Sequence, residues 1–121
     1  MDHRNIWLIS DGSQIFPALS RFFTEKGYQV TTTCHTQEAL QAISSGGVPL
    51  VITCLSNDWT DTRPFIKAVR ERNRGTAVII LRVEPGISTP LDTYLIKGDG
   101  YQFTPGGWGG LLQVVANCLN N

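Results

Sequence analysis

Short apolar segments alternate along the chain with segments in which apolar residues recur at helical spacing. An apolar run of four to eight residues bounded by turn residues is typical of a buried strand, and apolar positions three and four residues apart are typical of one face of a helix. The pattern predicts five strands, at residues 5–10, 28–33, 50–54, 76–83 and 100–103.

Capping and helix-ending residues separate these strands from the helices that follow them. Asp11-Gly12 stops the first strand, and Lys26-Gly27 ends the first helix. Thr36 is expected to cap the second helix, and Gly46-Gly47 to end it. The core-facing residues predicted for the first two helices are Ile15, Leu19, Phe22, Ala39, Leu40 and Ile43.

The remaining helices differ in the strength of their signals. Asp61 or Thr62 is expected to cap the third helix, which has Pro64 in its first turn. Proline and glycine interrupt segment 84–98, which leaves room only for a short or irregular fourth helix, capped by Thr89 with Pro90 as its first residue. The core-facing residues of the third and fifth helices are Phe65, Ile66, Val69, Leu111, Leu112, Val115, Cys118 and Leu119.

This alternation predicts one α/β domain over residues 1–121. Strands separated by helices form a parallel sheet covered on both faces, and their connections are right-handed. We therefore expect a flavodoxin-like (βα)5 three-layer sandwich with strand order 2-1-3-4-5. Ligands of such sheets bind beyond the carboxyl ends of the strands, where the first and third strands diverge, which nominates Ser10, Asp11 and Cys54. Arg82 and Thr104 end the fourth and fifth strands at the same edge.

The composition of the chain argues against several classes of function. Ten basic and ten acidic residues give the 121-residue chain zero net charge without a basic cluster, so we expect no direct binding to nucleic acid. No apolar stretch approaches the ~20 residues of a membrane span, and no secretory signal is recognisable. The chain has three cysteines, Cys34, Cys54 and Cys118, an odd number without CxxC spacing. We therefore expect neither disulfides nor a metal site. The thiols are expected to be reduced, as in the cytoplasm.

The order and spacing of four segments resemble the receiver domain of two-component response regulators (the CheY-like domain) over essentially the whole chain. They are "IWLISDG" (6–12), "LVITCLSNDWTDTRPFIKAVRER" (50–72), "TAVIILRV" (76–83) and "GDGYQFTP" (98–105). The resemblance implies an aspartate at the end of the third strand that accepts phosphate, with magnesium held by that aspartate and by an acidic pair after the first strand. It also implies a hydroxyl residue ending the fourth strand and a lysine ending the fifth.

This chain departs from the receiver pattern at each of those positions. The acidic pair is Ser10-Asp11, the phosphoacceptor position is Cys54, the hydroxyl position is Arg82, and the lysine position is Thr104. A one-residue shift of the alignment would place Leu55 at the acceptor position, and Leu55 cannot accept phosphate either. The resemblance therefore implies a degenerate pseudo-receiver without a cofactor, in which the phosphorylation pocket is no longer functional.

What remains of receiver function is protein interaction. The resemblance implies a non-enzymatic signalling module that binds a protein partner or itself and regulates an attached effector, such as a transcription regulator, in a longer protein. Receivers interact, often as homodimers, through the face formed by the fourth helix, fifth strand and fifth helix, which here includes Leu95, Tyr101 and Trp108.

Several residues admit a second interpretation. The rival function is a thiol-based or small-molecule-binding activity at Asp11, Cys54 and Arg82, for which Cys54 would need a base or a positive charge nearby. Arg82 either pairs with Asp11, filling the space of metal and phosphate, or extends into solvent. Asp58 is either a displaced phosphoacceptor or a turn residue, and Trp108 is either exposed at an interface or packed on the domain.

Overall fold

Strands and helices alternate through most of the chain, as the hydrophobic pattern predicts. The structure is a computed structural model that describes residues 5–54, 62–83, 89–90, 92–98 and 100–119. In chain order its elements are β1 (Asn5–Ile9), α1 (Ile15–Glu25), β2 (Gln29–Thr33), α2 (Thr36–Ser44), β3 (Leu50–Cys54), α3 (Thr62–Arg72), β4 (Ala77–Arg82), β5 (Asp92–Lys97), β6 (Gly100–Pro105) and α4 (Gly107–Leu119).

The described strands form one mixed sheet of order β2-β1-β3-β4-β5-β6. The first four pair in parallel. β3 and β4, the two central strands of the six, place buried apolar residues on both faces because helices cover both sides. β5 pairs antiparallel with β4, and β6 pairs antiparallel with β5. β6 therefore runs in the same direction as β4.

Two apolar clusters, one on each face of the sheet, hold the three layers together. On one face, Leu8, Ile52 and Ile79 pack against α1 and α4. On the other, Val51 and Ile80 pack against α2 and α3. Successive residues of a strand point to opposite faces, so the position of a residue within its strand decides which cluster it joins.

The predicted α/β class with helices on both sides of a sheet is confirmed, but the predicted all-parallel sheet of order 2-1-3-4-5 is wrong. β5 lies between β4 and the strand predicted as the fifth, which is β6 and extends to Pro105. The edge beyond β4 is therefore an antiparallel hairpin instead of a parallel strand reached through a helix.

The short helix predicted with Thr89 as its cap and Pro90 as its first residue is also wrong. Thr89 and Pro90 are not helical, and Asp92–Lys97 is the strand β5. Thr93 is buried and Ile96 is 9% exposed, so the β-branched residues of this stretch fit a sheet better than a helix. Residues 84–88 of this segment lie outside the described residues.

The helix boundaries follow the predicted end signals more closely than the predicted caps. Gly27 adopts φ +92°, which lets the N–H of Tyr28 return to the carbonyl of Phe23 at the end of α1. Thr36 is the first residue of α2 instead of its cap, and the preceding His35 makes no side-chain capping bond. Asp61, one of the two caps proposed for α3, lies outside the described residues.

Candidate functional site

The candidate site lies where β1 and β3 end beside each other. Leu8 is opposite Ile52 in the parallel register, so Ser10, which follows β1, lies at the same edge as Cys54, the last residue of β3. The backbone N–H of Ser10 donates to the carbonyl of Thr33 at 2.7 Å, which extends the hydrogen bonding of β1 with β2 one step beyond the strand. The structure thus brings together Ser10, Asp11 and Cys54, as the sequence predicts.

The side chains of Ser10 and Asp11 stabilise the turn that leads from β1 into α1. Ser10 Oγ accepts the N–H of Gly12 at 3.0 Å, and Asp11 Oδ1 accepts the N–H of Ser13 at 2.9 Å. Gly12 has φ +90°, a conformation that favours glycine. Both side chains therefore have a structural role in this turn.

Cys54 is a buried thiol on the face of the sheet that packs against α1. Its side chain is 9% exposed and belongs to the cluster that contains Leu8 and Ile52. Burial raises the pKa of Cys54 to about 12, and the negative charge of Asp11 contributes to the same shift. A thiol with this pKa is protonated at neutral pH, so Cys54 is a poor nucleophile in this setting.

Arg82 ends β4 and pairs with the neighbouring strand. Its Nη2 and Nε atoms each lie 2.6 Å from Oδ2 of Asp92, which is opposite Arg82 in the antiparallel register. Arg82 and Asp92 follow the alternation of Ile80 and Tyr94, which pack on the α2 and α3 face, whereas Cys54 packs on the α1 face. Among the described residues Arg82 forms its ion pair with Asp92, and the pair with Asp11, one of the two alternatives for Arg82, is not found there.

Thr104 lies farther from Cys54 than the predicted strand order implies. The register aligns Cys54 with Leu81, Leu81 with Thr93, and Thr93 with Thr104. Three strand spacings separate Cys54 from Thr104, about 14 Å across the sheet, whereas the predicted order has two, about 10 Å. Insertion of β5 removes Thr104 from the candidate site.

The three residues predicted to form one interaction face lie on opposite sides of the sheet. Leu95 packs with the α1 and α4 cluster. Tyr101 lies on the opposite face, where its ring is 6.1 Å from that of Tyr94, and it is 62% exposed. The side chains of Leu95 and Tyr101 therefore point to opposite faces of the sheet, although both residues line a cavity of about 280 Å³ on the β5–β6 hairpin.

Trp108 packs on the domain near the start of α4. Its ring centroid is 4.6 Å from that of Phe22 in α1, and its side chain is only partly exposed. Gly107–Gly110 form the first turn of α4. A Cβ on Gly110 would lie 2.5 Å from the carbonyl oxygen of Pro105, so glycine is needed for this close approach.

The sequence reasoning missed an aromatic cluster on β5 and β6. The rings of Tyr101 and Phe103 lie 6.1 Å and 5.1 Å from that of Tyr94. Tyr101 is 62% exposed and Phe103 is 47% exposed. The alternation Tyr-Gln-Phe in residues 101–103, next to a second strand pattern in residues 92–97, was the signal for this cluster.

A small cavity lies between the β5–β6 hairpin and α4. Its volume is about 170 Å³, and it is lined by Leu95, Lys97, Gln102, Val114, Asn117 and Cys118. Burial raises the pKa of Cys118, and the positive charge of Lys97 opposes that shift. The cavity is smaller than the ~300–1,000 Å³ of a typical ligand pocket.

Two further properties of the described residues bear on the class of site. No group of three His, Cys, Asp or Glu side chains comes together there in a way that could hold a metal ion. In the same part of the chain, no helix is long and apolar enough to cross a membrane. Asp58 and Leu55 lie outside the described residues.

Comparisons of the chain with protein-family models, with curated proteins and with solved structures find no match.

Proposed function

We propose that this chain is a degenerate receiver-like module that takes no phosphate and functions by binding protein. It is not an enzyme in this proposal, and it regulates an attached effector, such as a transcription regulator, in the cytoplasm. The observation that carries the proposal is the buried, protonated thiol of Cys54 beside Asp11, at the position where a receiver has its phosphoacceptor.

The surroundings of Cys54 support the loss of phosphoryl chemistry. Magnesium binds carboxylate and phosphate oxygens, and Asp11 is the single carboxylate of the Ser10, Asp11 and Cys54 set. One oxygen of that carboxylate already accepts the Ser13 N–H. A receiver needs at least the acceptor carboxylate in addition, and a protonated thiol cannot replace it.

The two auxiliary positions support the same conclusion. Arg82 pairs with Asp92 on the opposite face of the sheet from Cys54, and Thr104 is three strands away from Cys54. In a receiver, the hydroxyl and the lysine at the corresponding positions stabilise charge on the transferred phosphoryl group. Neither residue offers that stabilisation at the end of β3.

The fold in this proposal is a flavodoxin-like relative in which an antiparallel strand has replaced the fourth helix. The order β2-β1-β3-β4, the parallel pairing and the helices on both faces support it. The rival function, thiol-based or small-molecule chemistry at Asp11, Cys54 and Arg82, is disfavoured by the raised pKa of Cys54 and by the Arg82–Asp92 pair.

The first test is phosphate transfer. Incubation of the chain with acetyl phosphate and Mg²⁺ should give no phosphorylated product by intact mass and no change in oligomer size. A phosphorylated product would refute the proposal.

A variant with both carboxylates restored tests the receiver-like geometry itself. Ser10→Asp combined with Cys54→Asp should bind Mg²⁺ in a calorimetric titration, whereas the matched control with Ser10→Asn and Cys54→Asn should not, because amides lack the negative charge. If the folded aspartate variant binds no more Mg²⁺ than the asparagine control, the end of β3 is not a former receiver site.

A further inference from the structure

The β6 edge of the sheet, defined here by Tyr101, Gln102 and Phe103, combines exposed aromatic side chains with an open strand. Tyr101 and Phe103 are 62% and 47% exposed and share a face with Tyr94. On this face α2 and α3 pack against the apolar side chains of β1, β3 and β4. Two neighbouring exposed aromatic side chains on one strand form a small apolar patch, and such patches are candidate protein-interaction sites.

β6 is also a terminal strand of the sheet. It pairs with β5 on one side, and no described strand pairs with it on the other, so alternate backbone N–H and C=O groups of β6 point away from the sheet. Natural edge strands are usually protected by charged residues, bulges or proline. Residues 100–104 carry no charge and no proline, and Pro105 marks only the end of the strand.

The opposite edge of the sheet, β2, lacks this combination. Its exposed residues Gln29, Thr31 and Thr32 are polar and not aromatic. α1 and α2 both contact β2, one on each side of the sheet. The two edges thus provide a matched comparison within one molecule.

We propose that β6 pairs antiparallel with β6 of a second copy of this chain, about a twofold axis at Gln102. In this register Tyr101 of each copy is opposite Phe103 of the other, and Gln102 is opposite Gln102. Cross-strand aromatic pairs are among the stabilising pairs of antiparallel sheets. The alternation of β6 is self-complementary, because one register pairs both aromatic residues of each copy on the same face.

The absence of charge favours a second copy as the occupant, and the small exposed area indicates a weak complex. Residues 100–104 are uncharged and the chain has zero net charge, so two copies approach without repulsion. Tyr101 and Phe103 together expose on the order of 200 Å² per copy, well below the ~800 Å² per partner of a standard interface. We therefore expect a concentration-dependent dimer with a Kd on the order of 10–100 µM.

This inference deepens the proposed function, on which it rests, by naming the surface and the partner of the interaction module.

 The edge strand β6 thereby takes the role that the resemblance assigns to the face of Leu95, Tyr101 and Trp108. The phosphodonor assay and the dimer assay fail independently, because phosphate uptake is read by mass and self-association by sedimentation.

Sedimentation velocity of the full chain from about 1 to 500 µM tests the pairing. Wild type should shift from monomer to dimer with rising concentration. Gln102→Glu should raise the Kd about five-fold, because it places two like charges opposite each other at the axis. Gln102→Lys should do the same alone, and an equimolar mixture of the two variants should dimerise at least as well as wild type. Thr31→Glu on β2 is the matched control and should leave the Kd unchanged.

A cross-link tests the register. In a Cys34→Ser background, Gln102→Cys should form a disulfide-linked dimer under mild oxidation, because opposed residues of antiparallel strands have Cα atoms within disulfide range. Thr31→Cys in the same background should not. Circular dichroism melts confirm that each variant is folded.

Three results would overturn the proposal. A chain that stays monomeric up to 500 µM leaves the β6 edge to a strand of a different protein. Equal effects of the Gln102 and Thr31 charges would assign self-association to general charge effects. A mixture of the Glu and Lys variants that associates no better than either alone would exclude the twofold axis at Gln102.

Discussion

The thiol of Cys54 offers the most direct test of the proposed loss of chemistry at the end of β3. We expect Cys54 to react very slowly with iodoacetamide in the folded chain. In a variant with Cys34→Ser and Cys118→Ser it is the single thiol, so its alkylation can be followed by mass without ambiguity.

The expected reduction of the alkylation rate follows from the environment of the thiol. Burial, assisted by the charge of Asp11, raises the pKa of Cys54 from 9.0 to about 12. Three pKa units lower the thiolate fraction about 1,000-fold at pH 7–8. Because the thiolate is the reactive species, the native alkylation rate should be at least about 1,000-fold below the rate of the same variant in denaturant.

Substitution of Asp11 separates burial from the charge of Asp11 as causes of the raised pKa of Cys54. Asp11→Asn removes the charge, which is the smaller cause, and should increase the rate by much less than 1,000-fold because Cys54 stays buried. Rapid alkylation of the native chain, or full recovery of the denatured rate in Asp11→Asn, would refute the reasoning and revive the rival thiol-based function.

Three further predictions concern stability. Because the pKa of Cys54 is raised in the folded state, the contribution of the protonated thiol to stability is present below pH 9 and is lost as pH rises toward about 12. Over that range the free energy of unfolding should fall by about 1.4 kcal/mol per pH unit more in wild type than in Cys54→Val, as measured by denaturant titration. Arg82→Ala should cost no more than about 1 kcal/mol, because Arg82 is 48% exposed, and a double-mutant cycle should show coupling of Arg82 to Asp92; zero coupling would contradict the pair. Gly110→Ala should destabilise the fold by more than about 1 kcal/mol, because its Cβ would clash with the carbonyl oxygen of Pro105. Gly109→Ala, whose Cβ would meet nothing, is the control and should be neutral or stabilising by up to about 1 kcal/mol. Equal melting temperatures of the two variants would contradict the close approach of Gly110 to Pro105.

The parallel half of the sheet was predictable from the sequence because its signals are local. β3 coincides with the predicted segment 50–54, and β1, β2 and β4 begin or end within one residue of theirs. An apolar run between turn residues requires burial on both faces, and this requirement is met in only a few arrangements. The juxtaposition of Asp11 and Cys54 followed from that arrangement alone.

The antiparallel half was not predicted because the strongest local signals before β5 were proline and glycine, which interrupt helices and strands. The prolines and glycine near residue 86 outweighed the alternating Thr93, Tyr94, Leu95 and Ile96, which are typical of a strand. The sequence Gly98-Asp99-Gly100 between two such segments is a hairpin signal. The partner of Arg82 depends on the register of β5 and could not be predicted without that strand.

One structural change accounts for three features that are separate in the sequence. β5 supplies Asp92, which holds Arg82 on the face away from Cys54. It also moves Thr104 one strand farther from the end of β3. Finally, it brings Tyr94 beside Tyr101 and Phe103 at the sheet edge. The strand that positions Arg82 and Thr104 away from Cys54 therefore also builds the aromatic edge. In the proposed function, loss of the phosphoryl switch and gain of a pairing surface then have a common structural cause.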